Sequence, residues 1–322
     1  MNPPVSVFGK RVVRNAIGLS ALVALGLFPI VADLMGHAFY LDLGTRIVCL
    51  AIAAVGLNLI LGFGGMISFG HAAFIGIGAY CVGIPSYYGI TGVFFHIPLA
   101  VGVSAVFALL TGAICLRTKG VYFIMITMAF AQMVFFAFVS IEEYGADDGL
   151  VIETRSVFPL GIDLENNVVM FLICYVSLLL VILLVYRIVN SRFGLVIQGA
   201  RANERRMRAI GYNTYLYRLV CYVISGAICG YSGALLGNFT NFISPEMMDW
   251  TRSGELMFMV ILGGAATWSG PVIGTLIIVL LEEFLSSFSV YWQLFLGLFL
   301  IGVVLFTTGG INGLLDRWSS RE

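Results

Sequence analysis

The chain has 322 residues, of which 60% are apolar and 11% charged, and its mean hydropathy is +1.01. A soluble domain carries charge on roughly a quarter of its positions, so most of this surface is made to face something other than water. Seventeen Lys and Arg balance seventeen Asp and Glu, which leaves no basic footprint for nucleic acid.

A membrane-crossing helix needs about 20 apolar residues, and runs of that length recur along the chain. The first, Ala16 to Ala32, follows Lys10, Arg11 and Arg14. It is long for a signal core and no A-x-A cleavage pattern follows it, so it reads as an uncleaved first span. Ile47 to Leu116 then holds 70 residues without a charged side chain, room for about three passes. Within it Gly62-Phe-Gly-Gly65, followed by Ser68 and Gly70, breaks the helical pattern. Further uncharged runs are Gly120–Ile141, Asn166–Tyr186, Leu219–Pro245, Leu256–Leu281 and Phe284–Leu315. Gly226, Gly230, Gly233 and Gly237 are spaced 4, 3 and 4, one helix face able to let another backbone approach in lipid. Glu255 to Phe284 is too long for one upright span and too short for two; Gly263, Gly264, Gly270 and Pro271 break its middle, which predicts two half-helices in a hairpin. The fold expected is all-α, a polytopic transmembrane helical bundle of about 8–10 spans, with broken or short helices near 62–70 and 263–271, forming a single domain over 1–322. Non-helical backbone at membrane depth must be buried in protein or line a wet cavity. Paired interruptions therefore point to a transport path, the alternative being two packing kinks.

The charges orient the bundle. With the N-terminus inside, the inner segments 1–15, 117–120, 187–218 and 316–322 hold 14 of the 17 Lys and Arg, and only Arg46, Arg155 and Arg252 lie outside. That bias predicts both termini on the cytoplasmic side and an even number of crossings. The extracytoplasmic loop, about 142–165, carries seven acids and one Arg. Glu282 and Glu283 read as surface anchors at the same side.

Sites with chemistry are few. There is no G-x-x-x-x-G-K-[ST] loop, no H-E-x-x-H and no G-x-S-x-G, and His37, His71 and His96 have no ligand-spaced neighbours, so neither ATP chemistry, hydrolysis nor a metal site is expected of the chain. The six cysteines lie in apolar runs without CxxC spacing and read as small buried hydrophobes. Asn58, Ser68, His71 and Gln132 are polar groups inside apolar runs. Intramembrane polar groups mark paths or pair with each other, so they are candidates for a solute path, or for interhelical hydrogen bonds with no solute contact. The cytoplasmic loop, about 190–217, has a charged middle, Arg201 to Arg208. Asn203 is placed to cap a short helix and Gly211 to stop it. Met207 and Ile210 sit i and i+3, as docking into a partner's groove requires; anchoring on anionic lipid headgroups is the alternative. Asp147 and Asp148 are candidates for a docking face on the other side, or simply part of a solvated loop.

Five stretches carry a resemblance. They are Gly56–Tyr80 (GLNLILGFGGMISFGHAAFIGIGAY), Thr118–Gln132 (TKGVYFIMITMAFAQ), Gly145–Gly149 (GADDG), Ala202–Arg205 with Ala209–Gly211 (ANER…AIG) and Gly263–Pro271 (GGAATWSGP). In this order they are similar to the permeases of branched-chain amino acid ABC transporters, and most similar to the M-type (LivM-like) subunit. The resemblance runs from about Arg46 to Gly313; Ala146 varies a usual Gly-Gly pair. It implies a permease moving branched-chain or other hydrophobic amino acids by alternating access across a bacterial inner membrane. It implies a second related permease subunit, two ATPase subunits docked on the cytoplasmic helices of the two permeases, here near Asn203, Glu204, Arg205, Met207, Ile210 and Gly211, and an extracytoplasmic solute-binding protein, for which Asp147 and Asp148 are the candidate docking residues. It further implies that membrane lipid surrounds the chain, that no cofactor is bound by it, and that ATP and magnesium belong to the ATPases. The rivals are the permease of a urea or short-amide importer, a stand-alone ion-coupled secondary transporter and, third, a membrane enzyme.

Overall fold

The computed structural model describes residues 5–152, 154–157, 164–288 and 291–306. The basic N-terminal side chains and the C-terminal charges used above to orient the chain lie outside the described side chains. Twelve helices follow one another in the described residues: α1 (Val5–Leu34), α2 (Ala38–Asn58), α3 (His71–Tyr87), α4 (Val93–Cys115), α5 (Val121–Val139), α6 (Asn167–Val189), α7 (Arg192–Ala202), α8 (Glu204–Ala209), α9 (Thr214–Thr240), α10 (Trp250–Gly263), α11 (Gly270–Phe288) and α12 (Trp292–Phe306). Six of them, α2, α4, α5, α6, α9 and α11, are long and apolar enough to cross a membrane. Two-residue strands, β1 (Leu150–Val151) and β2 (Phe242–Ile243), pair antiparallel and stitch the loop after α5 to the end of α9.

α2 and α9 form the centre. The most apolar stretch of α2 is 83% buried, against 17% for α5, so α2 is enclosed by protein while α5 stands at the periphery. The two central helices are joined by a ladder. Cys221, Ser225, Cys229 and Ser232 of α9 donate to the carbonyls of Leu59, Gly56, Ala53 and Cys49, one rung per turn. In lipid there is no hydrophobic pull between helices, so small side chains and interhelical hydrogen bonds carry the association. The glycines occupy another face of α9: a Cβ on Gly233 would strike the Ile75 carbonyl, one on Gly230 would strike Ser104, and one on Gly226 would strike Ala108. Gly78 of α3 answers from the other side, its backbone against the Gly230 carbonyl.

Both glycine-rich interruptions are present. α2 runs into a π-helical turn, Leu59–Phe63, a feature that marks functional positions in helices. The chain then leaves helix until His71. Because His71 bonds to Ser225, which bonds to Gly56, the segment climbs back by about seven residues' worth of helix, roughly 10 Å. That re-entry explains why α3 needs only 17 residues. Backbone donors of this segment and of the first turn of α3 are met by side chains: Phe69 N–H by Thr127, Gly70 N–H by Ser68 and Ala72 N–H by Ser253. The second interruption separates α10 from α11, and here the structure corrects the expected pair of half-helices. α10, with 14 residues, spans about 21 Å and is short, but α11, with 19 residues, is long enough to cross.

Candidate functional site

The two interruptions meet at one side chain. Asn58 Oδ1 accepts from the Ala266 N–H at 3.0 Å and Asn58 Nδ2 donates to the Thr267 carbonyl at 2.8 Å. An amide side chain carries both a donor and an acceptor, so one residue satisfies both polarities of a loop that has no helix to do so. Gly62 lies against the same contact: a Cβ there would collide with Asn58 Oδ1 and Ala266 N. Ala51 to Val55 and Leu57, on the turns of α2 that precede this clamp, are 0–2% exposed, so the block is closed there.

Ser68 and His71 form a second centre. His71 is fully buried, with Nδ1 3.0 Å from Ser68 Oγ and Nε2 3.1 Å from Ser225 Oγ. The Ser225 hydroxyl proton is committed to the Gly56 carbonyl at 2.6 Å, so Ser225 accepts and His71 carries its proton on Nε2. Phe74 and Tyr222 pack edge-on against the ring. The residue links α3, α9 and α2. Gln132 is elsewhere again: its Nε2 donates to Asp249 Oδ1 at 2.7 Å, tying α5 to the residue that caps α10. Burial pushes the Asp249 carboxyl up, but hydrogen bonds from Thr251, Gln132 and the Trp250 and Thr251 backbone outweigh it and hold the group below its ordinary value.

At the acidic end of the bundle lies a feature that the sequence reading missed. A cavity of about 210 Å³ opens between α2, α3, α9, α10 and α11. Arg46 and Glu282 pair across it at 3.0 Å. Arg252 is held by Glu255 at 2.9 Å and Glu246 at 3.2 Å. Leu50, Ile75, Leu256 and Met259 supply apolar wall. Glu282, read above as a surface anchor, is instead 18% exposed and faces Arg46. The available signal was that Arg46 and Arg252 are two of the three arginines off the basic side.

At the basic end, α7 and α8 form the loop helices. Asn203 caps α8 by accepting from the Arg206 N–H at 3.0 Å, and Gly211, at φ +93°, ends it. Glu204 is the hub: Lys119 at 2.6 Å, Arg208 at 2.5 Å and Arg218 at 3.1 Å surround its carboxylate. Burial raises its pKa, but the hydrogen bond from Lys119 and the charges of Arg218, Lys119 and Arg208 outweigh burial and leave it lowered. Glu204 therefore fastens α8 to the α4–α5 turn and to α9. Met207 and Ile210 do not share an exposed face: Met207 packs on Gly199 of α7, while Ile210 is 63% exposed; Arg205 is exposed as well. Arg201, which the sequence hid among many cations, donates Nη1 to the Gly62 carbonyl. The loop is thus bonded directly to the first interruption. At the opposite end Asp147 and Asp148 are exposed in a 3₁₀ turn (Ala146–Asp148) beside β1.

Residues 39–305 match the family described as branched-chain amino acid transport system / permease component. The chain is 25% identical to the high-affinity branched-chain amino acid transport system permease protein LivM of Salmonella typhimurium, over 90% of this chain and 74% of that one. It is 24% identical to the protein of the same name from Escherichia coli, over 95% and 79%. A probable branched-chain amino acid transport permease protein LivH of Methanocaldococcus jannaschii is 27% identical over 45% of this chain and 48% of its own. No solved structure matches the chain.

Proposed function

The chain belongs to the permease-component family of branched-chain amino acid transport systems, and from that premise we propose that it works as the M-type membrane subunit of an ABC importer that admits branched-chain amino acids by alternating access. It sits in a bacterial inner membrane with its basic end and both termini cytoplasmic, beside a second, distinct permease chain. One of the two ATPases docks at α8 and the other on the partner permease, and a binding protein delivers solute at the acidic end, where Asp147 and Asp148 face it. Asn58 forms the inner gate. Ser68, His71 and Gln132 hold in register the helices that bound the path.

The observation that carries this reading is the fastening of the loop helices. A helix that only anchored on lipid headgroups would need no bond to membrane-depth backbone. Here α8 is locked to α9 and the α4–α5 turn through Glu204, and α7 is locked to the Gly62 carbonyl through Arg201. Motion imposed on α8 reaches the interruption of α2, and through Asn58 the interruption before α11. The paired charges of the cavity at the acidic end also suit a zwitterion better than a neutral short amide.

The test is co-purification. The chain is co-expressed with the partner permease and ATPases and isolated through a tag on this chain. Ile210→Arg changes the exposed docking residue without touching the Glu204 cluster. The ATPases are expected to co-purify with the parent and to be lost from Ile210→Arg. ATPases that never co-purify with the parent would refute the reading.

A further inference from the structure

The cavity at the acidic end holds two guanidinium groups and three carboxylates in a wall that is otherwise mostly aliphatic. Structural ion pairs at a membrane edge need no cavity between them, and lipid anchors point outward. These five groups instead converge on an open volume of about 210 Å³, smaller than the ~300–1,000 Å³ of drug-sized pockets and suited to a small solute. The two arginines are not equivalent. Arg252 has both terminal nitrogens engaged, Nη1 by Glu255 and Nη2 by Glu246. Arg46 meets Glu282 through Nη2 alone, and a guanidinium fork is shaped to take a carboxylate through two nitrogens.

We propose that this cavity is a solute site for a zwitterionic α-amino acid with an apolar side chain, which inserts between Arg46 and Glu282. The solute carboxylate takes Arg46, the solute ammonium takes Glu282, and the side chain lies on Leu50, Ile75 and Leu256. Each protein charge exchanges one partner for another of the same sign, so no charge is left unpaired in a half-buried place, the condition under which breaking such a pair is costly. A solute lacking either charge leaves one protein group uncompensated, so an amine or a carboxylic acid of the same shape is rejected. The exchange also parts α2 from α11, which the Arg46–Glu282 pair joins at this end and the Asn58 clamp joins, through the loop before α11, at the other. Occupancy and the gate therefore act on the same two helices. The inference rests on the importer reading for its direction of transport, but the site is testable by itself.

The experiment uses the assembled complex purified in mild detergent, without binding protein, and carrying Thr240→Cys. Thr240 is exposed at the cavity wall and the change is nearly isosteric. The rate at which a water-soluble maleimide labels position 240 is followed by mass spectrometry, with L-leucine, leucinamide or 4-methylpentanoate as competitor. At about ten times its Kd, L-leucine is expected to slow labelling roughly tenfold, with neither analogue protecting at the same concentration. In Arg46→Gln and in Glu282→Gln protection by leucine is lost. The double variant Arg46→Gln with Glu282→Gln keeps a neutral hydrogen bond between α2 and α11 and so preserves the helix pair; it too loses protection. Equal protection by the analogues, or protection that survives these variants, overturns the proposal. Absence of protection in a parent complex that still imports leucine with its binding protein overturns the proposal and leaves the importer reading intact. Protection in a complex that imports no amino acid does the reverse.

Discussion

Asn58 shows how much one side chain can hold. It bonds the Ala266 N–H and the Thr267 carbonyl, and removing it takes both of these hydrogen bonds from a half-buried loop. An unpaired buried polar group costs about 1–3 kcal/mol. Asn58→Leu is therefore expected to lower the Tm of the detergent-solubilised protein clearly and to abolish uptake while ATPase binding persists; an unchanged Tm would remove the clamp from the account. Glu204 makes a prediction in pH. Its folded-state pKa is lowered, so the stability it contributes is fully present above its ordinary value near 4.5 and is lost as pH falls through the depressed pKa. Protection of the backbone amides of Arg205 to Ile210, relative to their intrinsic exchange rates, should hold down to the ordinary carboxylate range and fall only below it, and in Glu204→Gln it should be weak even at neutral pH. Both residues stood out in the sequence, one as a polar group in an apolar run and the other as an acid among cations. Their roles did not, because their partners lie as far as 209 and 85 positions away. Asn58 reads as a path residue until its loop is known, and Glu204 reads as a docking residue until Lys119 and Arg218 are seen around it.

Among the elements, α9 was the most legible. The 4, 3, 4 spacing of its glycines specifies a face, and the structure sets that face on α3 and α4. What spacing could not reveal is the second face, where cysteines and serines give hydrogens to α2; nothing in Cys221 or Ser232 alone names an acceptor. Gly230→Leu is expected to prevent assembly of the bundle, read as aggregate in size-exclusion chromatography, since neither the Gly78 backbone nor Ser104 has room to yield. Recovery of a monodisperse protein would contradict that packing. The short α3 was illegible for a different reason: the re-entrant climb to His71 is set by a hydrogen bond to another helix. α7 carries the element-scale link between docking and gate. Arg201→Met removes the bond to the Gly62 carbonyl while keeping the aliphatic stem, so ATPases should still co-purify and hydrolyse ATP while leucine uptake falls at least tenfold. Equal loss of binding and uptake would mean that Arg201 supports the docking surface rather than transmission.

At the scale of the whole molecule, charge separates the two ends. Lys119, Arg205, Arg206, Arg208 and Arg218 gather at one and Asp147, Asp148, Glu246 and Glu282 at the other, with a closed block of α2 between the cavity and the clamp. That arrangement suits a device whose energy arrives at one end and whose solute arrives at the other. With no G-x-x-x-x-G-K-[ST] loop in the sequence, ATP hydrolysis is assigned to partner subunits, and the central claim is that transport depends on them. The most direct test is uptake of radiolabelled L-leucine into proteoliposomes holding the chain with its partner permease, ATPases and binding protein, compared with proteoliposomes holding the chain alone under an imposed ion gradient. Uptake that requires the ATPases and ATP, with none by the chain alone, is the predicted result. Leucine accumulation by the chain alone, driven by the gradient and indifferent to ATP, would contradict the account and make the protein a secondary transporter.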